Sequence, residues 1–480
     1  MKLTRKSPHN AMTATLTVGP VGPLLLRMSV SMLIGFVAGA AYNVADTYFV
    51  SRLGTAQLAA MGFTFPIVMT TFGLVMGIGI GTSSVLARLI GQADEAGTRL
   101  LTLHALLLGL VLTVVFLAAG WLALPRILAL LGADATTLPL ALGYLRIWLA
   151  GMVFLIIPII GNNAIRATGD TLTPSLIMVA DMGLNVILDP IFIFGLGPVP
   201  AMGIRGAAVA TVLSRAVALV ASLVVLRKAK HLLVLERFAW RTMLVSWGRI
   251  LYIGLPAATT NLLMPLAGGL LTRMISGYGV TRVAAFSAGV RIEHCVVIPV
   301  LALGASLIPF LGQNWGAARY DRVRKGLRIA FGTCLSWGAF CAIALAAFSG
   351  TLAPLFSRDE SVVRMLILYL NIVPAAMAFR GISHSICSGL NAMGHSLHST
   401  AATALRLFGL QLPLALLGSH LAGFFGLLLG VVCGEVLAAG AIFAWLHRIM
   451  HRSDLRCRPQ PAETPPAVPD PERVEEPCRV

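Results

Sequence analysis

Stretches of about twenty apolar residues recur along the whole chain, and that recurrence leaves few folds open. Each stretch is long enough to cross roughly 30 Å of hydrocarbon at about 1.5 Å rise per residue. Twelve spans are placed at residues 24-50, 57-82, 100-122, 138-163, 172-197, 203-226, 250-275, 283-310, 326-349, 364-390, 396-418 and 422-446. The runs are continuously apolar rather than alternating, so the spanning elements are helices and not barrel strands. Of 480 residues, 57% are hydrophobic and 11% charged, against about 25% charged in a soluble domain. An all-α integral membrane protein is expected.

The placement of positive charge orients the spans. With the N-terminus inside, the internal segments hold Lys2, Arg5, Lys6, Arg227, Lys228, Lys230, Arg237, Arg241, Arg249, Arg319, Arg322, Arg324, Lys325 and Arg328. The external loops hold Arg52, Arg126, Arg205, Arg273, Arg282, Arg358 and Arg364. An inside excess of Lys and Arg predicts that both termini are cytoplasmic, in a multi-pass protein of a bacterial inner membrane. The formal charge of +17 is dispersed between spans, which argues against a nucleic-acid footprint. The first apolar run outlasts a signal sequence and reads as a retained span. Cys295, Cys334, Cys341, Cys387, Cys433, Cys457 and Cys478 show no metal-ligand spacing and read as small apolar residues. The tail after about Ser453, rich in Pro, Glu and Arg, is expected to be disordered.

The chain echoes itself at an interval of about 220 residues. ARLIGQADEAG, with Gly91 and Gln92, answers IPFLGQNWGAA, with Gly312 and Gln313; NNAIRATGD at 162-170 answers CSGLNAMGH at 387-395. Pro158 and Pro374 are the mid-span prolines of the two spans that these motifs close. Six spans precede the basic connection and six follow it, so both halves enter from the same side as parallel repeats. The expected organisation is a cytoplasmic segment 1-23, a six-helix lobe 24-226, a basic connection 227-249, a second six-helix lobe 250-449 and a tail 450-480. Two such lobes can hold a substrate between them and expose it alternately.

Ionisable groups inside apolar spans need a reason to be there. Asp181, Asn185 and Asp189 recur at i, i+4 and i+8 and form one stripe on the fifth span. Pro190 directly follows and removes a helical donor, freeing the Val186 carbonyl. Asp46 lies in the first span between Asn43 and Thr47, which are placed to share its hydrogen bonds; Thr211 lies at similar depth in the sixth. Asp46, Asp189 and Thr211 belong to the external half of the first lobe, with Asp181 nearer mid-membrane. Oxygen ligands of this kind suit a hard cation, here Na⁺, and the carboxylates could instead carry a proton. In the second lobe Glu293 is mid-membrane, with Arg291 or Arg406 expected to compensate it. His384 is expected to be a buried neutral histidine. Gly73, Gly77, Gly79 and Gly81 form a close-packing face rather than a nucleotide loop, because no Lys-Ser/Thr follows.

Together YNVADTYFVSRLGTAQLAAMG, VLARLIGQ, NAIRATGDTLTPSLI, NVILDPIFIFGLG, GIRGAAVAT and RIEHCVVIPVLALGASLIPFLGQNWGA make the chain resemble the MATE family, the multidrug and toxic compound extrusion antiporters. The resemblance covers about residues 20-450. It implies twelve helices in two pseudo-symmetric six-helix lobes, a central cavity, and export coupled to entry of H⁺ or Na⁺, with no cofactor. Asp46 matches the acid of the family's first helix. Asn185 and Asp189 match the Asn-x-x-x-Asp pair of its archaeal and DNA-damage-inducible-like bacterial branch, and Thr211 matches the sixth-helix threonine of that ion site. Glu293 matches an acid found in some members. The seventh and tenth helices carry no carboxylate here, which departs from the branch with a second-lobe cation site.

The expected function is therefore a monomeric secondary exporter of cationic amphipathic compounds in a lipid membrane. Asp46, Asn185, Asp189 and Thr211 are its coupling residues, and they double as the ligands if the ion is Na⁺. Asn43, Thr47, Asp181 and Glu293 are accessory. A lipid-linked precursor flippase is the transport alternative, and a static membrane scaffold or receptor the alternative of another class. No nucleophile-base arrangement points to an enzyme.

Overall fold

A computed structural model describes residues 14–233 and 240–456. Expectations concerning residues 1–13, Arg237 and the tail beyond 456 lie outside the described residues. The first lobe comprises α1 (Val21–Ser51), α2 (Thr55–Gly91), α3 (Glu95–Leu130), α4 (Thr137–Ala150), α5 (Met152–Ala167), α6 (Leu172–Phe194) and α7 (Ile204–Val224). The second comprises α8 (Trp240–Ser276), α9 (Val280–Gly316), α10 (Tyr320–Ala347), the short α11 (Ser349–Phe356), α12 (Glu360–Ile372), α13 (Met377–Ala392), α14 (Ser396–Ala404) and α15 (Leu412–Arg456).

Sequence chemistry accounts for the breaks. Asp94 accepts the Gly97 amide at 2.8 Å and starts α3; Asp359 accepts the Ser361 amide at 2.8 Å and starts α12. Such caps satisfy donors left unpaired at a helix N-terminus. The pair α4 and α5 bends by 50° at Gly151, where Val212 packs so close that no side chain fits. In the other lobe the equivalent break falls at the proline itself, as a 3-10 turn over Val373–Ala376. A π-helical segment, Leu405–Gln411, joins α14 to α15.

Among the described residues ten helices are long and apolar enough to cross a membrane, or eleven with α4 and α5 taken as one span. The last of them reverses at Ala422 (φ −139°) and Gly423 (φ 61°) and so crosses twice. Gly418 lies against Gly426 and Gly430 against Leu414, so the two arms pack antiparallel with their backbones in contact. In lipid the helices gain by close contact rather than by expelling water, which favours such small residues. The molecule is an all-α membrane protein with the expected two-lobed plan.

The repeat is written into the backbone. Left-handed φ values occur at Gly54 and Gly279, at Ala93 and Ala318, and at Gly169 and Gly394. Each pair occupies the same turn in its lobe: before α2 and α9, after α2 and α9, and after α5 and α13. An L-residue with a Cβ visits this region at a cost of about 1 kcal/mol or more, so the recurrence of alanine at the second turn marks a shared turn geometry.

The lobes meet along one end only. Burial in α2 is sparse from Thr55 to Gly73 and nearly continuous from Gly77 to Ile90; in α9 it becomes continuous from Ala302 to Asn314. Gly77 packs on the backbone of Ala258, Gly81 on the Ile250 carbonyl, Gly91 on the Gln313 carbonyl and Gly316 on the Arg88 carbonyl. The Ser84 hydroxyl donates to the Asn391 carbonyl at 2.6 Å. Leu16, in a 3-10 turn ahead of α1, is wedged into the same end; its amide meets Gln313 Oε1 at 3.2 Å, and Arg322 Nη2 donates to its carbonyl at 3.1 Å. At the other end Gly62, Gly268 and Gly269 have no neighbour within 4 Å, and Leu58, Phe65, Met264, Leu266 and Leu270 are exposed. The result is a cleft closed on the face that carries the chain ends and open on the opposite face.

Outside the spans, Lys230 Nζ pairs with Asp170 Oδ2 at 2.8 Å and ties the basic connection to the α5–α6 turn. Burial raises the Asp170 carboxyl, but Lys230 and the Thr173 amide and hydroxyl outweigh it and hold the group below the ordinary carboxylate range.

The seam can be tested by filling it. Gly91→Ala should destabilise the protein by about 1–3 kcal/mol, because the added methyl meets a carbonyl that cannot move aside. Gly62→Ala, facing open space, should leave the melting temperature unchanged or higher. Equal melting of the two variants would rule out this picture of the closed end.

Candidate functional site

The first lobe gathers its acids because α1, α6 and α7 pack together through small residues. Gly35 of α1 sits on Ser175 of α6, and Gly206 of α7 sits on the Phe192 carbonyl of α6. These contacts turn Asp46, the Asp181-Asn185-Asp189 stripe and Thr211 inward. Asp46 is 5% exposed, Thr211 1%, and Asn185 and Asp189 are fully buried. Asn185 Nδ2 donates to Asp189 Oδ1 at 3.3 Å. Asp46 and Asp189 lie within each other's electrostatic reach. The helix runs on through Pro190 to Phe194.

Not every candidate joins this cluster. The Thr211 hydroxyl is engaged by the Tyr42 hydroxyl at 2.9 Å rather than by an acid. Asn43 and Thr47 are exposed and bond within their own helix, Asn43 Nδ2 to the Gly39 carbonyl at 2.9 Å and Thr47 Oγ1 to the Asn43 carbonyl at 2.8 Å. They do not share the hydrogen bonds of Asp46, because their side chains turn back on α1. Asp181 lies toward Ser214 and Arg215.

Arg215 is the principal residue that the sequence reading passed over. Its guanidinium lies 5.8 Å from the Tyr42 ring centroid, and its charge reaches Asp46 and Asp181. The signal was present: Arg215 stands four residues after Thr211 in α7, so the two share a helix face. Asp46 and Asp181 thus share one guanidinium, while Asp189 lies beside Asn185 and in the field of Asp46. Asp46 Oδ1, Asp181 Oδ1, Asn185 Oδ1 and Asp189 Oδ2 are buried acceptors with no hydrogen-bond partner. A buried acceptor left unmatched costs about 1–3 kcal/mol, more if charged. A proton or a small cation satisfies such a donor-poor oxygen cluster. The set is oxygen only, as a hard cation requires; among the described residues no group of three or more His, Cys, Asp or Glu side chains is placed to hold a metal.

The second lobe uses the same fold with balanced charge. Arg380 Nη1 pairs with Glu293 Oε2 at 2.9 Å, and Arg380 Nε with Glu435 Oε1 at 3.3 Å. Arg406 Nη1 reaches both oxygens of Glu435, at 3.1 and 3.2 Å. The partner of Glu293 is therefore Arg380, not Arg291 or Arg406. Arg406 sits in the π-helical turn, which aims it at Glu435, whereas Arg291 is exposed on the opposite side of α9. Two glutamates and two arginines close this network on itself.

The open cleft has a charge of its own. Arg291 and His294 are exposed on α9. About five helical turns separate His294 from Gly312, so they lie on one side of the helix. Gly312 touches Ala87 of the first lobe; that side of α9 therefore looks across the cleft. Arg291 has no carboxylate partner among the described residues. A guanidinium at this depth would cost several kcal/mol against lipid and is tolerated facing water.

Two pseudo-symmetric lobes, a cleft closed at one end and a cluster of buried acids in one lobe define a secondary transporter. The MatE family model matches residues 31–191 and again residues 256–417, one match in each lobe. The chain belongs to the MATE family. It is 37% identical to the FAD transporter of Shewanella oneidensis over 459 residues, 96% of this chain and 99% of that protein. It is 24% identical to the multidrug export protein MepA of Staphylococcus aureus over 90% of this chain and 95% of that one. Among solved structures it matches the bent form of the Vibrio cholerae MATE transporter VcmN at a TM-score of 0.86 and 30% identity, covering 92% of this chain and 99% of that one. A Pyrococcus furiosus transporter of the MOP superfamily, described as having a binding pocket of reverse polarity, matches at 0.84 and 28% identity over 92% of this chain and 98% of that one.

Proposed function

We propose that this protein exports a flavin dinucleotide or a closely similar anionic aromatic compound, in exchange for H⁺ or Na⁺ bound in the first lobe. The observation that carries the cargo is Arg291, unpaired and turned into the cleft beside His294. A diphosphate offers such a guanidinium a charge-assisted, bidentate partner. The first-lobe acids are buried behind the cleft wall and present little negative charge to a cargo. The relative that transports FAD supports this reading, being similar over nearly its whole length.

The coupling assignment rests on the unmatched oxygens of Asp46, Asp181, Asn185 and Asp189. The Asn185–Asp189 spacing is the reason to read it as the ion site of the archaeal and DNA-damage-inducible-like branch. Ion occupancy changes the charge of the cluster and biases which face is open, and cargo release follows that bias. The closed face is then cytoplasmic, in line with its basic segments. Export of cationic amphipaths is the second reading, favoured by the excess of acid over Arg215 and by the similarity to MepA.

Efflux from proteoliposomes under separately imposed pH and Na⁺ gradients decides between them. FAD efflux should be gradient-dependent, and Arg291→Ala should weaken its apparent affinity roughly tenfold, the loss of one charge-assisted pair. If cationic dyes move, FAD does not, and Arg291→Ala changes nothing, the dinucleotide reading is wrong.

A further inference from the structure

The closed end is not symmetric. In the first lobe the Gly169 turn is covered by Thr15 and Leu16, whose 3-10 turn plugs that side of the seam. Its counterpart, the Gly394 turn, has the same left-handed backbone but is covered by the Arg88 guanidinium. No 3-10 plug lies there among the described residues. Instead a cavity of about 670 Å³ lies beside the turn, lined by Arg88, Gln92, Arg249, Tyr252 and Gly394 among others. It is an open groove on the closed face, accessible to a small anion from solvent.

The charge in this cavity is of one sign. Arg88 comes from α2 in the first lobe and Arg249 from α8 in the second, and each lies in the other's field. His395, next to the Gly394 turn, also lies in the field of Arg88. Among the described residues no carboxylate lines the cavity. Arg88 Nε donates to the Ser84 carbonyl at 3.3 Å, which fixes the stem and leaves the terminal nitrogens available. Like charges brought together across a seam oppose its closure, and an anion between them reverses the sign of the interaction.

We infer that Arg88 and Arg249 form a binding site for a phosphate group, preferentially a diphosphate, that bridges the two lobes and stabilises the conformer closed on this face. The site goes beyond the cargo and coupling assignments and does not depend on either. It exists only while α2 and α8 are together: parting the lobes carries Arg88 away from Arg249. A ligand that binds one conformer and not the other shifts the balance toward it. A phospholipid headgroup and a soluble diphosphate share the required chemistry.

The test uses the full chain with spin labels at Leu58→Cys and Leu270→Cys, exposed near the open ends of α2 and α8, and serine at the native exposed cysteines. In detergent free of anionic lipid, pyrophosphate should shift the distance distribution toward the long, open-cleft value. Arg249→Gln, at an exposed position that folding tolerates, should raise the half-saturating concentration roughly tenfold. Nanodiscs of phosphatidylglycerol compared with phosphatidylcholine, without pyrophosphate, assign the source. A shift in phosphatidylglycerol alone identifies the headgroup, and a shift only on adding pyrophosphate identifies a soluble ligand. No shift with either, or an equal shift in Arg249→Gln, overturns the inference, whatever the outcome of the efflux assays.

Discussion

Asp189→Asn is expected to leave a folded protein whose efflux no longer follows an imposed ion gradient. The amide oxygen can still accept from Asn185 Nδ2, so the local packing of α6 survives. The negative charge and the proton-carrying capacity do not. Coupling energies between sites are typically 1–3 kcal/mol, so losing this one should lower gradient-driven flux by at least about tenfold. Asp46→Asn should do the same, since that carboxylate is buried with an unmatched oxygen in the same cluster. Asn43→Ala and Thr47→Ala should leave coupling intact, because those side chains bond only their own helix. The assay is the proteoliposome flux described above, with folding checked by melting. Normal coupling in both aspartate variants would remove the first-lobe acids from the mechanism.

Arg380→Met is expected to be the most destabilising single change in the second lobe. Arg380 is shared by Glu293 and Glu435, and its removal leaves Glu293 with no cation partner among the described residues. Breaking a buried ion pair by deleting one partner costs about 3–5 kcal/mol. Adding Glu293→Gln to Arg380→Met should recover a large part of the loss, because the stranded charge goes with it. The melting temperatures of the two single variants and the double variant measure this coupling. Additive effects would show that Arg380 does not neutralise Glu293.

The parts of this architecture that depend on local chemistry were legible in the chain. Helical spans follow from continuous apolar runs, and the duplication from motifs such as Gly91-Gln92 and Gly312-Gln313, which the fold brings into contact across the seam. The acid stripe on α6 follows from i, i+4 spacing. What escaped depends on the rotation of one helix against another. From sequence, Arg291 or Arg406 is the expected partner of Glu293, and Arg380 does not stand out; only the packing of α13 on α9 and the π-helical turn before α15 select Arg380 for Glu293 and aim Arg406 at Glu435. Arg215 is legible only as a residue on the Thr211 face of α7; that its guanidinium lies beside Tyr42 is set by how α7 packs against α1. The sequence marks Asp46 and Asp189 as buried polar groups but does not show that Arg291 and His294 are exposed on α9, because exposure depends on how the helices pack.

The glycine-on-carbonyl contacts that close one end of the cleft have a consequence for turnover. A door that must open in every cycle cannot be latched by interlocked leucines, each worth roughly 1.5–3 kcal/mol when fully buried. Backbone meeting backbone excludes passage through shape, and at the contacts of Gly77 with Ala258 and Gly91 with Gln313 no large side chain has to be uncovered when the two part. The open and shut forms can then stay close in free energy, within reach of an ion gradient in which each tenfold concentration ratio supplies about 1.4 kcal/mol. Smallness at the seam lets a modest driving force run the cycle in both directions.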